Sequence, residues 1–155
     1  MRKRGSGEAG FTLVELTVVL AIIALMVAFS LPKLMKAVDK AKMTDAITLL
    51  GTVGSQVLAR CTVEGDDWDG LNYAYVQTLV ADRPTGYSGR GMSYVRGGCP
   101  AFKLRLTRDY GSGLPNLCVS RVGDALRYAY SSTAGWTAGD IPVPVSKQAN
   151  PFTGC

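Results

Sequence analysis

From Phe11 to Pro32 the chain is apolar, interrupted by three hydroxyl residues, Thr12, Thr17 and Ser30, and by one charge, Glu15. At ~1.5 Å per residue this stretch makes a helix of roughly 33 Å, enough to cross the ~30 Å hydrocarbon core of a bilayer. An ionised carboxylate inside such a segment is costly unless it finds a partner, so Glu15 calls for a functional explanation. Past Pro32 the helical pattern continues but turns amphipathic. Met43, Ala46, Ile47, Leu50, Val53, Val57 and Cys61 recur at steps of three and four, with Asp45, Thr48, Thr52 and Gln56 opposite. That stripe predicts a helix half buried against a sheet.

After Cys61 the periodicity shortens. Glu64–Gly70 reads as an exposed acidic loop without the Asp-x-Asp-x-Asp-Gly spacing of an EF-hand, so no metal site is assigned. Leu71–Val80 fits either a short helix or a strand. Met92–Val95 and Ala101–Thr107 read as strands. In the second, Phe102, Leu104 and Leu106 alternate with Lys103, Arg105 and Thr107, giving one face in and one face out. Leu114–Cys118 predicts a helical turn or an edge segment, Arg127–Ser131 a further strand, and the proline-rich Ile141–Val145 an extended tail. The fold class expected is α+β: a long amino-terminal helix packed on a small sheet.

The chain has 155 residues and no histidine, which removes the commonest general base and metal ligand. No Gly-x-Ser-x-Gly or phosphate loop is present, and nothing in the second half assembles a catalytic set, so neither an enzyme nor a cofactor is expected. The four cysteines, Cys61, Cys99, Cys118 and Cys155, contain no C-x-x-C pair. Behind an export-like segment they favour disulfides. Three connectivities exist; pairing Cys61 with Cys99 and Cys118 with Cys155 closes two contiguous lobes and is the preferred one.

Charge adds one local feature. Setting aside Arg2, Lys3, Arg4 and Glu8 at the amino terminus, 14 basic and 11 acidic side chains remain of the 17 and 12 in the whole chain. Residues 83–108 nevertheless hold six basic ones (Arg83, Arg90, Arg96, Lys103, Arg105 and Arg108) and no acid, with Tyr87, Tyr94 and Phe102 interleaved. Cations beside aromatics suit DNA bound without sequence preference. A solvated sheet face that meets acidic loops such as 64–69 of adjacent subunits is the favoured alternative.

The start of the chain has three readings. Arg2-Lys3-Arg4, an apolar stretch and Ala28-Phe29-Ser30 could make an ordinary cleaved signal. A plain membrane anchor would tolerate Glu15 as a residue snorkelling toward the headgroups. The third reading comes from Gly10-Phe11-Thr12-Leu13-Val14-Glu15-Leu16, behind a short basic leader and ahead of an apolar run ending at Pro32. This stretch closely resembles the start of type IV prepilins and type II secretion pseudopilins.

The resemblance implies that a prepilin peptidase cuts the Gly10–Phe11 bond and that the new amino terminus at Phe11 is N-methylated. It implies that Glu15 docks on the Phe11 methylammonium of a neighbouring subunit, and that the helix kinks at Pro32. The leader would be cytoplasmic and the head periplasmic or extracellular, an orientation that the lysines and arginines flanking the apolar run do not settle by themselves. The domains expected are a leader at 1–10, a transmembrane or filament-core helix at 11–32, an amphipathic helix at 33–61 and, at 62–155, a pilin-like head in which the helix lies on a small antiparallel sheet and a disulfide bounds the carboxy-terminal region. The function implied is that of a pilus subunit, major or minor, whose partners are copies of itself or other pilins, the peptidase, an inner-membrane assembly platform and, before assembly, lipid. The alternatives are a pseudopilin, or a membrane-anchored or secreted binding protein with an ordinary signal segment.

Overall fold

The computed structural model describes residues 10–80, 82–87, 92–96, 98–131 and 136–143. Its elements, in chain order, are α1 (Leu13–Glu64), α2 (Tyr73–Thr78), β1 (Met92–Arg96), β2 (Lys103–Leu106), β3 (Leu117–Val122) and β4 (Ala125–Tyr130), with single 3-10 turns at Cys99–Ala101 and Ala138–Asp140. Two compact units divide the chain, residues 1–37 and 38–155, and α1 contributes to both.

In the first unit every described residue is exposed, including Phe11 at 86%, Leu13 at 78% and Phe29 at 77%. So much contiguous apolar surface does not persist in water and needs lipid or other protein to cover it. The hydroxyls inside it are satisfied within the helix. Thr17 donates to the Val14 carbonyl at 2.9 Å and Ser30 to the Met26 carbonyl at 2.8 Å. Pro32 lies within α1 and brings no N–H to it, which deprives the Ala28 carbonyl of its usual donor.

The second unit is an antiparallel meander in the order β1-β2-β3-β4 with the later part of α1 laid on one face. The register puts Leu104 opposite Val119 and Val119 opposite Tyr128, and Leu106 opposite Leu117 and Leu117 opposite Tyr130. These side chains share one face by the period-two alternation. Met43, Ala46, Leu50, Val53, Val57 and Cys61 of α1 are buried in the same core, as the helical stripe predicts. Burying each of the larger ones stabilises by about 1.5–3 kcal/mol, more than the few tenths that propensity alone contributes per residue.

The helix approaches the sheet closely at Gly51 and Gly54. A Cβ on Gly54 would lie 3.2 Å from both Leu126 Cδ1 and Val119 Cγ1, and one on Gly51 would lie 2.7 Å from the Tyr128 hydroxyl. Gly54→Leu should therefore wedge α1 off β3 and β4 and cost about 3 kcal/mol, read as a thermal midpoint lowered by roughly 10 °C or more. An unchanged midpoint would show that this contact is loose.

Several local differences from the sequence pattern have plain causes. Leu71–Val80 resolves to the short helix α2, started by the Asn72 side chain, which accepts from the Tyr75 N–H at 3.0 Å. The Leu114–Cys118 reading is corrected: from Leu117 the chain is the inner strand β3, flanked by β2 and β4, and neither a turn nor an edge. Gly123 and Asp124 make the β3–β4 turn, with Gly123 at φ +61°, a conformation that suits glycine. The run Ala101–Thr107 contracts to Lys103–Leu106, because Cys99–Ala101 coils into a 3-10 turn ahead of it. The tail is described only to Val143, so Pro144 and Val145 lie outside the described residues.

Cys61 and Cys99 form a disulfide, with Cα atoms 5.4 Å apart. Cys118 is also disulfide-bonded, while Cys155 lies outside the described residues. Arg121 fastens the same region by hydrogen bonds. Its side chain, only 10% exposed, donates to Asp66 at 2.9 Å, to the Cys99 carbonyl at 2.8 Å and to the Gly123 carbonyl at 2.9 Å. Tyr87 is fully buried and donates to the Pro115 carbonyl at 2.9 Å. Burial raises its pKa far above the ordinary tyrosine value, with Arg108 partly offsetting and Asp39 adding, so the phenol stays protonated and keeps donating.

Candidate functional site

The chemistry-bearing residues of the first unit gather at the start of α1. The first intrahelical bond runs from the Leu16 N–H to the Thr12 carbonyl at 3.2 Å, which makes Thr12 the residue that caps the helix. The Thr12 hydroxyl accepts from the Glu15 N–H at 3.2 Å. In return Glu15 Oε2 accepts from the Thr12 N–H at 2.9 Å and from the Thr12 hydroxyl at 2.8 Å. This reciprocal arrangement is a capping box, and a carboxylate there is further favoured by the positive end of the helix dipole. The spacing Thr12-x-x-Glu15 carries that signal in the sequence, although the sequence reading assigned Glu15 to docking and gave Thr12 no role.

The box satisfies only one of the two carboxylate oxygens. Both bonds from Thr12 reach Oε2, and Oε1 has no hydrogen-bond partner among the described residues. Glu15 is therefore held in place at the helix start with one acceptor available to a donor from outside the chain. Phe11 lies one residue before the cap, highly exposed. At Gly10 an added Cβ would meet nothing within 4 Å. The chain's own packing does not require a glycine there, so a requirement for it would come from whatever handles the Gly10–Phe11 bond.

Among the described residues the basic side chains of this stretch do not share one surface. Arg83 donates to Gln77 Oε1 at 3.1 Å, while Gln77 also donates to the Met92 carbonyl. Arg108 turns inward and donates to the Leu114 carbonyl at 2.9 Å. Lys103 and Arg105 stand on β2 on the face opposite Leu104 and Leu106. Arg90 and the side chain of Arg96 lie outside the described residues, as does that of Tyr94. The aromatic part of the nucleic-acid reading is corrected: Tyr87 and Phe102 are both fully buried in the core and present no ring to a base. Alternation on β2 sends Phe102 to the Leu104 side, and the hydrogen bond to Pro115 holds Tyr87 inside.

Other charges of the second unit form ion pairs within it. Arg60 meets Glu64 at 2.8 Å and lies over the Trp68 ring, Lys42 meets Asp39 at 3.2 Å, and Lys40 meets Asp140 at 3.5 Å. Among the described residues no group of three or more acids or cysteines is placed to hold a metal ion.

A long apolar helix that starts on a Thr12–Glu15 capping box and leads into a small antiparallel sheet is a pilin-like α+β arrangement. Residues 5–31 match the prokaryotic N-terminal methylation motif, the leader signature of type IV prepilins, and the chain carries that signature. No curated protein and no solved structure matches the chain. The motif is that of structural, pilin-type proteins. It implies processing by a prepilin peptidase and self-assembly, and together with the apolar helix it fits anchoring in the inner membrane before assembly.

Proposed function

We propose that this chain is a structural subunit, major or minor, of a type IV pilus. In this reading it waits in the inner membrane as a single-pass protein and is cut between Gly10 and Phe11. It then assembles through the Phe11 methylammonium of one copy and the Glu15 carboxylate of the next. The observation that carries the proposal is the unshared Oε1 of a glutamate held at the head of α1, in an apolar stretch with no other charge up to Pro32, within the matched motif. In a low-dielectric core a single carboxylate is expensive to bury and a paired one much less so, so the pair would fix the axial register of neighbouring helices. Pro32, Cys61, Cys99, Cys118 and Cys155 would serve the helix and the head rather than docking. A pseudopilin shares all of these features; the four cysteines and the lack of a recognisable acidic calcium loop favour the pilus subunit.

Intact mass of the protein recovered from sheared filaments or membranes tests the processing step. The expected mass is that of residues 11–155 with one methyl group added and two disulfides closed. A product that starts at Leu31 would replace this function with that of an ordinary secreted protein.

A further inference from the structure

The first unit ends on two lysines that the docking scheme does not use. Lys33 and Lys36 are exposed, and neither has an ion-pair partner among the described residues. Three residues apart on a helix, they project about 60° from one another and share one face. No acid lies between Glu15 and Asp39, and Asp39 is engaged by Lys42 at 3.2 Å. The lysines are flanked by Leu34 and Met35, 62% and 63% exposed.

Their height along α1 identifies what they meet. With Phe11 at one boundary of a ~30 Å hydrocarbon core, a rise of ~1.5 Å per residue puts Leu31 at about the opposite boundary. Lys33 then lies roughly 3 Å, and Lys36 roughly 8 Å, beyond it, the depth of the headgroup layer. Helical side chains tilt toward the amino terminus, so both ammonium groups lean back toward the lipid phosphates while their methylene stems lie along the apolar surface.

Resting on the membrane-anchored reading above, we propose that Lys33 and Lys36 form a headgroup site for an anionic phospholipid in the far leaflet, holding the subunit there until it is extracted for assembly. The ligand is a lipid phosphate carrying net negative charge, such as phosphatidylglycerol, and the binding is electrostatic and salt-sensitive. Each lysine contributes about a fivefold preference over a zwitterionic lipid at low salt. A subunit held in this way is harder to withdraw from a membrane rich in anionic lipid.

The test uses the processed full chain. Native mass spectrometry from micelles doped with equal phosphatidylglycerol and phosphatidylethanolamine should show phosphatidylglycerol retained at least fivefold more often. The Lys33→Gln/Lys36→Gln variant should lose that preference, and Lys103→Gln should keep it. Inorganic phosphate at matched concentration should give no comparable adduct; an equal adduct would mean an unspecific anion site and would overturn the lipid assignment. Equal retention of the two lipids, or a preference that survives in the double variant, would also overturn it. So would a double variant that keeps the preference but builds no filaments, since the lysines would then be meeting an acidic surface of another subunit. Flotation of the same chain with liposomes separates the two levels of the argument. A chain that does not float refutes the membrane-anchored reading itself, whereas one that floats without headgroup preference refutes only the lysine site.

Discussion

Glu15→Val protein is expected, under the proposed docking scheme, to insert into the membrane and to be cut after Gly10, yet to leave few or no filaments when no wild-type copy is present. Insertion should survive because the segment becomes more apolar. Cleavage should survive because the bond proposed to be cut, Gly10–Phe11, lies four residues before the substitution. Assembly should fail because the methylammonium of Phe11 on the next subunit would enter an apolar core with no carboxylate to meet it. Processed monomer should therefore accumulate in the inner membrane.

The capping box makes a second variant informative. Glu15→Gln keeps an oxygen that can accept from the Thr12 N–H and hydroxyl, but it removes the charge. If charge pairing drives docking, the Gln variant should assemble as poorly as the Val variant. Normal filament numbers with Gln alone would mean that Glu15 matters for starting α1 and not for docking. Normal numbers with Val would remove the docking role altogether. Immunoblots of sheared and membrane fractions, beside electron microscopy of the cells, distinguish these outcomes.

The second large effect concerns the head. Replacing Cys61 and Cys99 by Ala should lower its stability by about 4 kcal/mol, the loop-closure value for a link between residues 38 apart in sequence. For a unit of this size that corresponds to a thermal midpoint lowered by roughly 15–20 °C, measured on the processed chain by near-ultraviolet circular dichroism. Both cysteines are buried, so alanine avoids placing a hydroxyl in the core, and the lost sulfur contacts add to the effect. A drop of less than about 5 °C would show that the remaining packing constrains the same loop without the link.

The long helix was the most legible part of the sequence, because its apolar run and its buried stripe are strong periodic signals and Cys61 falls on the stripe. The sheet was legible in proportion to alternation. β2 shows it clearly, with Leu104 and Leu106 inward, whereas β3 does not. On β3 Leu117, Cys118 and Val119 are all buried, so the inner strand carries a continuous apolar run that period-two reading does not recognise. The turn at Gly123-Asp124 was missed because β3 was not seen to need a return strand from Ala125.

At the candidate site, Glu15 stood out as a lone charge, but its partner Thr12 did not, because a threonine in an apolar run reads as a tolerated residue until the capping geometry is seen. The basic stretch misled for the opposite reason. Proximity in sequence says nothing about side, and Arg108 and Tyr87 turn inward while Lys103 and Arg105 share a different face.

The position of the Cys61–Cys99 link also decides how the head carries tension. A pull transmitted along α1 reaches Cys61 near the helix end and passes through a covalent bond to the turn that leads into β2, an inner strand of the sheet. Residues 62–98, which include α2 and β1, are thereby bypassed by the load. Without the bond that segment could lengthen by up to about 120 Å at ~3.4 Å per residue once β1 had been pulled from β2. With it, that length is locked, and the sheet must yield through its central strands before the head can lengthen.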